Sequence, residues 1–388
     1  MYIPPWPALS PGMFFHSRCA KELPFPLNAS NKTYFYVARS GIYHLIRALG
    51  CQNGETVLMP DYHSGVEVWA ALAAGASVRY YHINRSMEPD LDELRTLCKS
   101  NPRVLHLIHY LGWPQPVKEV RELCQRQGII LIEDCALSLL SELDGQPLGT
   151  FGDYAVFCLY KTLAVPNGGL LVQNRDVLTA LTHMELKPCD AASVAGRSVE
   201  LMLEWIRGRS ELVGKLLSRA KRGAGRTLTL LGVNRLPVGD ISPDCRSAGY
   251  DVGTLNRGMS PICRTLLEGF DYESIRQKRR HNYLLLQDRL AGRVPLLRKE
   301  LNAGVCPLFF PFLVRDKRAA TRALWERGIA AVEFWNYGHP EAKGEEGSAA
   351  RFLRDHVLEL PIHQDVAPLQ VDYMADQLLT LKLHVECA

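Results

Sequence analysis

Three short segments of this chain carry residue types that could do chemistry together. The first is Ser40-Gly41-Ile42, which opens a helical pattern. Backbone N–H groups at such a start, the helix dipole and the hydroxyl make a cradle for a phosphate. The same triplet also reads as a plain serine N-cap. The second is Asp134, at the end of the apolar run GIILIED. A carboxylate there is poorly solvated and requires a partner: a cation, a metal, a protonated ring nitrogen, or a structural salt bridge or cap. Glu133 beside it points to the opposite face of the strand by alternation. The third is Lys161 in VFCLYKTLAVPNGG, after an apolar strand and before a Pro/Gly loop. A lysine on a loop is ordinarily solvated, whereas a desolvated one has a reactive amine that forms Schiff bases. Together, a phosphate cradle, a buried acid and a following lysine are the layout of a pyridoxal phosphate (PLP) site. The lysine would carry the cofactor as an imine, and the acid would keep its ring nitrogen protonated so that the ring acts as an electron sink.

Such residues need a scaffold that brings distant segments to one edge, and the sequence supplies it. From about residue 38, strand-like runs (TVLMP, SVRYYHI, VLHLIHYLG, IILIEDCA, DYAVFCLY, GGLLVQN) alternate with helical ones (SGIYHLIRALG, GVEVWAALAAG, DLDELRTLCKS, VKEVRELCQRQG). The first helix is expected to start at Ser40 as N-cap and to end at Gly50. This cadence predicts an α/β fold, a mostly parallel sheet covered on both faces. Ligands of such sheets sit beyond the carboxyl ends of the strands. After residue 178 helical sequence takes over, followed by irregular sequence to about residue 258. A long helix, YESIRQKRRHNYLLLQDRLAG, then leads to a second α/β stretch: FFPFLV (strand), KRAATRALWERG (helix), IAAVEFW (strand) and QVDYMADQLLTLKL (helix). The expected organisation is an N-terminal arm over 1–35, a large domain over 36–260 and a small C-terminal domain over 261–388.

Composition removes several other classes. The 388 residues are 47% apolar and 22% charged, as in ordinary globular chains. Lys plus Arg total 45 against 41 Asp plus Glu, a balance of +4 that gives no case for nucleic acid. No apolar run reaches the roughly 18–20 residues that span a bilayer. The start, MYIPPWPALSPGMFF, lacks a basic n-region and reads against a secretory signal. The 11 cysteines are scattered, with no C-x-x-C and no metal-ligand spacing, so no metal is expected and the compartment expected is the cytoplasm.

The ordered motifs resemble the DegT/DnrJ/EryC1/StrS family of PLP-dependent sugar aminotransferases, over about residues 38–380. ARSGIYHLIRALG is similar to the family's S-G-T-x-A-L helix. ETVLMPDYHSGVEVWAALAAGASVRYYHIN keeps its Pro-loop-helix-A-G-A spacing, and HLIHYLGWPQPVKEVRELCQRQGIILIEDCA its strand, G-x-P turn and E-D-A-A strand. FCLYKTLAVPNGG stands where the family has its lysine loop, and NRGMSPICRTLL and LELPIHQDVAPLQVDYMADQL match two later stretches. The resemblance implies the type I aminotransferase fold, with a large α/β/α domain, a smaller C-terminal domain and a homodimer. It implies Lys161 as the Schiff-base lysine and Asp134 as the ring-nitrogen partner. Gly41 and Ile42 would give backbone contacts to the phosphate, with Ser40 beside them, and Asn256 would reach the phosphate of the neighbouring subunit. The activity implied is transfer of an amino group from an amino acid, L-glutamate first, to a keto acceptor such as a keto sugar nucleotide.

Several positions depart from that pattern. Ile42 replaces a Thr and keeps only the amide. Cys158 stands for a phosphate-binding Ser and is a weak donor. Ser64 replaces the aromatic over the ring, which leaves His63 or Tyr62 to cover that face; His63 alternatively is a loop histidine with no role. Leu137 replaces a Gln or His shortly after the acid. His109, Trp113 and His363 are assigned to structure, while Trp335, Asn336 and Tyr337 are either acceptor pocket or plain surface. Between residues 207 and 226, Arg207, Arg209, Lys215, Arg219, Lys221, Arg222 and Arg226 face Glu211 alone. This reads as a solvated helix face, with an anionic membrane or phosphorylated ligand as the alternative. Two other functions stay open: a PLP enzyme of another outcome (dehydratase, decarboxylase or condensing enzyme), and a non-catalytic binding member of the fold.

Overall fold

Seven short strands form the central sheet of the computed structural model, which describes residues 1–15, 22–210, 213, 216, 252–333, 335–342 and 347–385. In chain order the first half runs β1 (Lys32–Phe35), α1 (Ala38–Ala48), β2 (Thr56–Pro60), α2 (Val66–Ala73), β3 (Ser77–Tyr81), α3 (Leu91–Cys98), β4 (Val104–Ile108), α4 (Val117–Gln127) and β5 (Ile130–Asp134). A small hairpin of β6 (Glu142–Leu143) and β7 (Gln146–Pro147) follows, then β8 (Tyr154–Cys158), β9 (Gly169–Gln173), α5 (Thr179–Thr182) and α6 (Ala191–Arg209). The sheet order is β1-β9-β8-β5-β4-β2-β3. Strands β3, β2, β4, β5 and β8 pair in parallel, and β9 runs antiparallel to both its neighbours.

Strands β4, β5, β8 and β9 are apolar at nearly every position because both their faces are covered. Val104, Ile132, Val156 and Leu171 pack on one face against Ile42, Leu45 and Ile46 of α1 and Val68 and Ala71 of α2. On the other face Leu105, Leu107 and Leu131 meet Leu94 of α3 and Val120 and Cys124 of α4. The alternation that divides these two sets also divides Asp134 from Glu133.

One expectation at the N-terminal side is corrected. Helix α1 starts at Ala38 with Val37 as its extended N-cap and without a side-chain cap, so Ser40 lies inside the first turn. Its hydroxyl is buried and has no hydrogen-bond partner among the described residues. At the end of the arm, Lys32–Phe35 is an edge strand on β9. The start of the arm lies on the C-terminal part of its own chain, where Ile3 exchanges backbone hydrogen bonds with Gly328 and Ala330 and Trp6 meets Phe309 edge-on at 5.0 Å, while Phe25 meets Phe157 of β8 at 5.8 Å.

The C-terminal part comprises α7 (Pro261–Leu267), the long α8 (Tyr272–Leu290), β10 (Phe309–Leu313), α9 (Lys317–Glu326), α10 (Ala349–His356), β11 (Val357–Pro361) and α11 (Pro368–Leu381). Strands β10 and β11 pair antiparallel. IAAVEFW is not the strand its composition predicts. Ile329 bridges to Ile3 and Val332 to Glu359, and the chain then turns at Trp335, whose φ is +56°. In the basic segment Arg207 stacks on Tyr2, 3.5 Å from the ring centroid, and Arg209 on Trp205 at 3.9 Å. Lys215, Arg219, Lys221, Arg222 and Arg226 lie outside the described residues. Among the described residues no helix is long and apolar enough to cross a membrane.

Candidate active site

The carboxyl ends of β2, β5 and β8 and the start of α1 open on one cavity of about 540 Å³. Asp134 is the last residue of β5, and Lys161 closes a single helical turn directly after β8. Both line the cavity, together with Ile42, Ser64, Leu137 and Cys158. Its outer wall is formed by Val332, Glu333, Trp335, Asn336 and Tyr337, and Trp6 reaches it from the N-terminal arm.

Asp134 is buried, and its two oxygens have different company. Oδ1 accepts the Ala136 N–H at 2.9 Å, and Oδ2 lies 3.3 Å from His106 Nε2. Burial by itself would raise the carboxyl. The His106 imidazole, the Ala136 N–H and the charge of Lys161 together outweigh it and hold Asp134 below the usual carboxylate range. The cavity therefore contains a fixed anion at one strand end and an amine at the next. Cys158 keeps its proton because burial pushes the thiol up.

The start of α1 is built by close packing. A Cβ on Gly169, the first residue of β9, would overlap the backbone of Val37 and Ala38. Glycine at 169 thus lets the sheet support the first turn of α1 directly. Gly41 faces the sheet as well: a Cβ there would sit 3.5 Å from Leu171 Cβ. Ile42 faces the cavity, and Val37 gives no side-chain cap to the start of the helix, where Ser40 N–H bonds the Val37 carbonyl at 3.2 Å.

Other candidate residues lie elsewhere. His63 is fully buried outside the cavity lining. Its Nδ1 bonds the Pro60 carbonyl at 2.8 Å, and its Nε2 accepts the His339 N–H at 2.9 Å. With both ring nitrogens committed to backbone, it has none for a cofactor. Ser40 also lies outside the lining, and the Asn256 carbonyl accepts from Lys187 N–H at 2.9 Å, away from this chain's cavity. His109, Glu133 and Cys135 bring ligand atoms within 4.8 Å of one another. The histidine and the acid are already engaged, however: His109 Nε2 meets Glu133 at 2.9 Å, and its Nδ1 accepts the Gln115 N–H. Glu133 also accepts from Gly149 and Gly152 N–H. His363 bonds the Pro4 carbonyl at 3.0 Å.

Trp335, Asn336 and Tyr337 all line the cavity. Arg39, Glu67, Glu333 and Trp6 join them without having been singled out from sequence. Glu67 is buried and accepts from Ser64 N–H at 2.9 Å and from Ser64 Oγ at 2.5 Å. Its position in the first turn of α2, three residues after a serine, was the available signal. Trp6 had none, because contact between an irregular arm and a distant wall leaves no periodicity.

Residues 38–191 match the model of the DegT/DnrJ/EryC1/StrS aminotransferase family. A GDP-perosamine synthase of Vibrio cholerae is 28% identical over 134 residues, 34% of this chain and 36% of that protein. The chain thus spans just over a third of the length of the curated relatives it matches. Among solved structures, the sugar aminotransferase CalS13 of Micromonospora echinospora superposes with a TM-score of 0.63 at 18% identity, covering 97% of this chain and 99% of that one. The E. coli GDP-4-keto-6-deoxy-D-mannose-3-dehydratase gives 0.64 at 13% identity, covering 90% and 88%. At such identities the likeness is one of fold, which is the α/β fold of these enzymes. The segment that holds Lys161 and Asp134 is thus similar to the DegT/DnrJ/EryC1/StrS aminotransferase family.

Proposed function

We propose that this protein is a PLP-dependent aminotransferase, moving an amino group from an amino acid, L-glutamate first, to a keto sugar nucleotide. The observation that carries this is the convergence of Asp134 and Lys161, from two neighbouring strand ends, on one cavity beside the start of α1. The residues fit the cofactor. An ionised Asp134 suits a protonated ring nitrogen, Lys161 supplies the amine, and the first turn of an 11-residue helix suits a phosphate. When bound, the cofactor supplies an electron sink for charge that develops at the donor's α-carbon. Asp134 holds the proton on the ring nitrogen. Lys161 Nζ takes the α-carbon proton as general base and returns it as acid. Backbone N–H groups near Ile42 bind the phosphate, with the Cys158 thiol a weak donor beside them. Leu137, Trp335 and Trp6 keep water from the reacting atoms.

The acceptor reading is supported by the outer wall. Trp335 and Tyr337 offer aromatic faces to a sugar ring, and Glu333 and Asn336 offer polar groups to its hydroxyls. The V. cholerae relative, by its name, makes a nucleotide-linked amino sugar. A homodimer is part of the reading: Asn256 lies outside its own chain's cavity and would contribute only to a second copy's. A cytoplasmic setting is supported by eight described cysteines, all unpaired. Leu137 and Ser64 on the cavity wall, where the family has polar and aromatic groups, favour a second reading, a PLP enzyme of other outcome. Product analysis with a panel of amino donors and keto sugar nucleotides separates the two. Amino sugar formed in step with 2-oxo acid supports the first, and a deoxy product without amine transfer supports the second. Lys161→Ala should abolish either reaction.

A further inference from the structure

The strands β4 and β5 carry two histidine–acid pairs, one on each face of the sheet. On the face away from the cavity, His109 and Glu133 are joined at 2.9 Å, and every remaining polar atom of the pair meets a backbone N–H. On the cavity face, His106 Nε2 and Asp134 Oδ2 are 3.3 Å apart, on the diagonal of a register that places His106 opposite Ile132. His106 is wholly buried, yet neither of its ring nitrogens completes a well-angled hydrogen bond among the described residues. An uncommitted donor in a sheet interior is costly, and native structures retain few of them. An apolar residue would satisfy this site at no such cost, as Val104 and Ile132 do around it.

We infer that His106 is a positioning residue for Asp134, backing the carboxylate from the strand behind it and keeping it anionic toward a protonated ring nitrogen in the cavity. This rests on the PLP reading above. The other titratable groups facing Asp134 are Lys161 and Cys158 from β8 and its turn, Tyr81 from β3, and the adjacent Cys135. Burial pushes the two thiols and the phenol up, so they stay neutral. His106 and Lys161 are the groups there able to bear positive charge, and Lys161 is committed to the chemistry. His106 is therefore the group whose removal changes Asp134 without touching the reacting atoms.

The test is a pH titration of PLP binding by the full chain, followed by the cofactor's visible absorption, for wild type, His106→Leu and His106→Gln. Without the imidazole, Asp134 should gain its proton more readily. His106→Leu should then lose PLP at a pH about one unit higher than wild type, about tenfold in proton affinity. His106→Gln, which restores a donor near the position of Nε2, should recover part of that shift. A structural role alone would lower the melting temperature and leave the titration unmoved. Should His106→Leu not fold, nitrogen-15 NMR of histidine-labelled wild type decides instead: the Nε2 resonance of His106 should move when PLP binds. Identical titrations, or an Nε2 resonance indifferent to PLP, overturn the inference while leaving the PLP reading intact. Wild-type protein that takes up no PLP overturns both.

Discussion

His63 Nε2 accepts the backbone N–H of His339 at 2.9 Å, tying the loop after β2 to the turn that walls the cavity. That bond requires neutral imidazole, since a protonated ring has no acceptor. Burial depresses His63 to about 4, far below an ordinary histidine. His363, buried on the Pro4 carbonyl, is likewise lowered to about 4. The folded protein thus binds fewer protons at these sites than the unfolded chain does. Their stabilisation is complete above the ordinary histidine range, at about pH 6.5, and declines as pH falls toward 4. The melting temperature should fall across that window, and His63→Gln should flatten the fall. A melting temperature level from pH 7 to 4 would contradict the assignment.

Arg354 binds the same two segments together. Its guanidinium donates to the carbonyls of His63 (2.9 Å), Trp335 (3.1 Å), Tyr337 (2.8 Å) and Asp61 (2.8 Å) from a buried position. Lysine, a single point charge, cannot reach four carbonyls in this fork. Arg354→Lys should cost about 2–4 kcal/mol of stability, and Arg354→Ala at least as much. Because the Trp335 turn is what this arginine holds, KM for the keto acceptor should rise more than KM for the amino donor. Equal changes in both would place the acceptor elsewhere.

Gly169 couples the sheet to the start of α1 beside the cavity. Gly169→Ala must displace Val37 and Ala38, the N-cap and first residue of α1. PLP affinity should fall by about tenfold or more, while Gly196→Ala, a position with open space around it, should leave affinity unchanged. Equilibrium dialysis with PLP measures both.

Asp134→Asn keeps the shape and removes the anion. Turnover should fall by about 10²–10³-fold with the fold intact, since a preorganised charge is lost from a buried site. Glu133→Gln, one residue away on the other face, should lower the melting temperature through its broken bonds to His109, Gly149 and Gly152 and spare the chemistry of any folded fraction. The pair of variants tests whether strand alternation separates function from structure here.

Much of this site was legible because its signals are local. Asp134 ends an apolar run and Lys161 follows one, and parallel strands deliver both to the same edge. His63 misled because its residue type and loop position fit a ligand equally well. Its two backbone bonds, one of them to a residue 276 positions away, leave no trace in local sequence. Ser40 misled by resembling an N-cap, while Val37 took that place because the helix starts where Gly169 lets it rest on β9. IAAVEFW has strand composition, but the N-terminal arm pairs at Ile329 and Trp335 turns the chain, so tertiary contacts override propensity. His106 sits in VLHLIHYLG as one histidine among apolar residues, and only its distance from Asp134 distinguishes it from a packed core residue.

The most direct test of the account is the visible absorption spectrum of the purified protein with PLP, before and after L-glutamate. The account predicts a visible band, absent in Lys161→Ala, that converts to the pyridoxamine form on adding glutamate. A band that glutamate and other amino donors leave unchanged would contradict transamination, and no band at all would contradict the assignment of Lys161 and Asp134 to a PLP site.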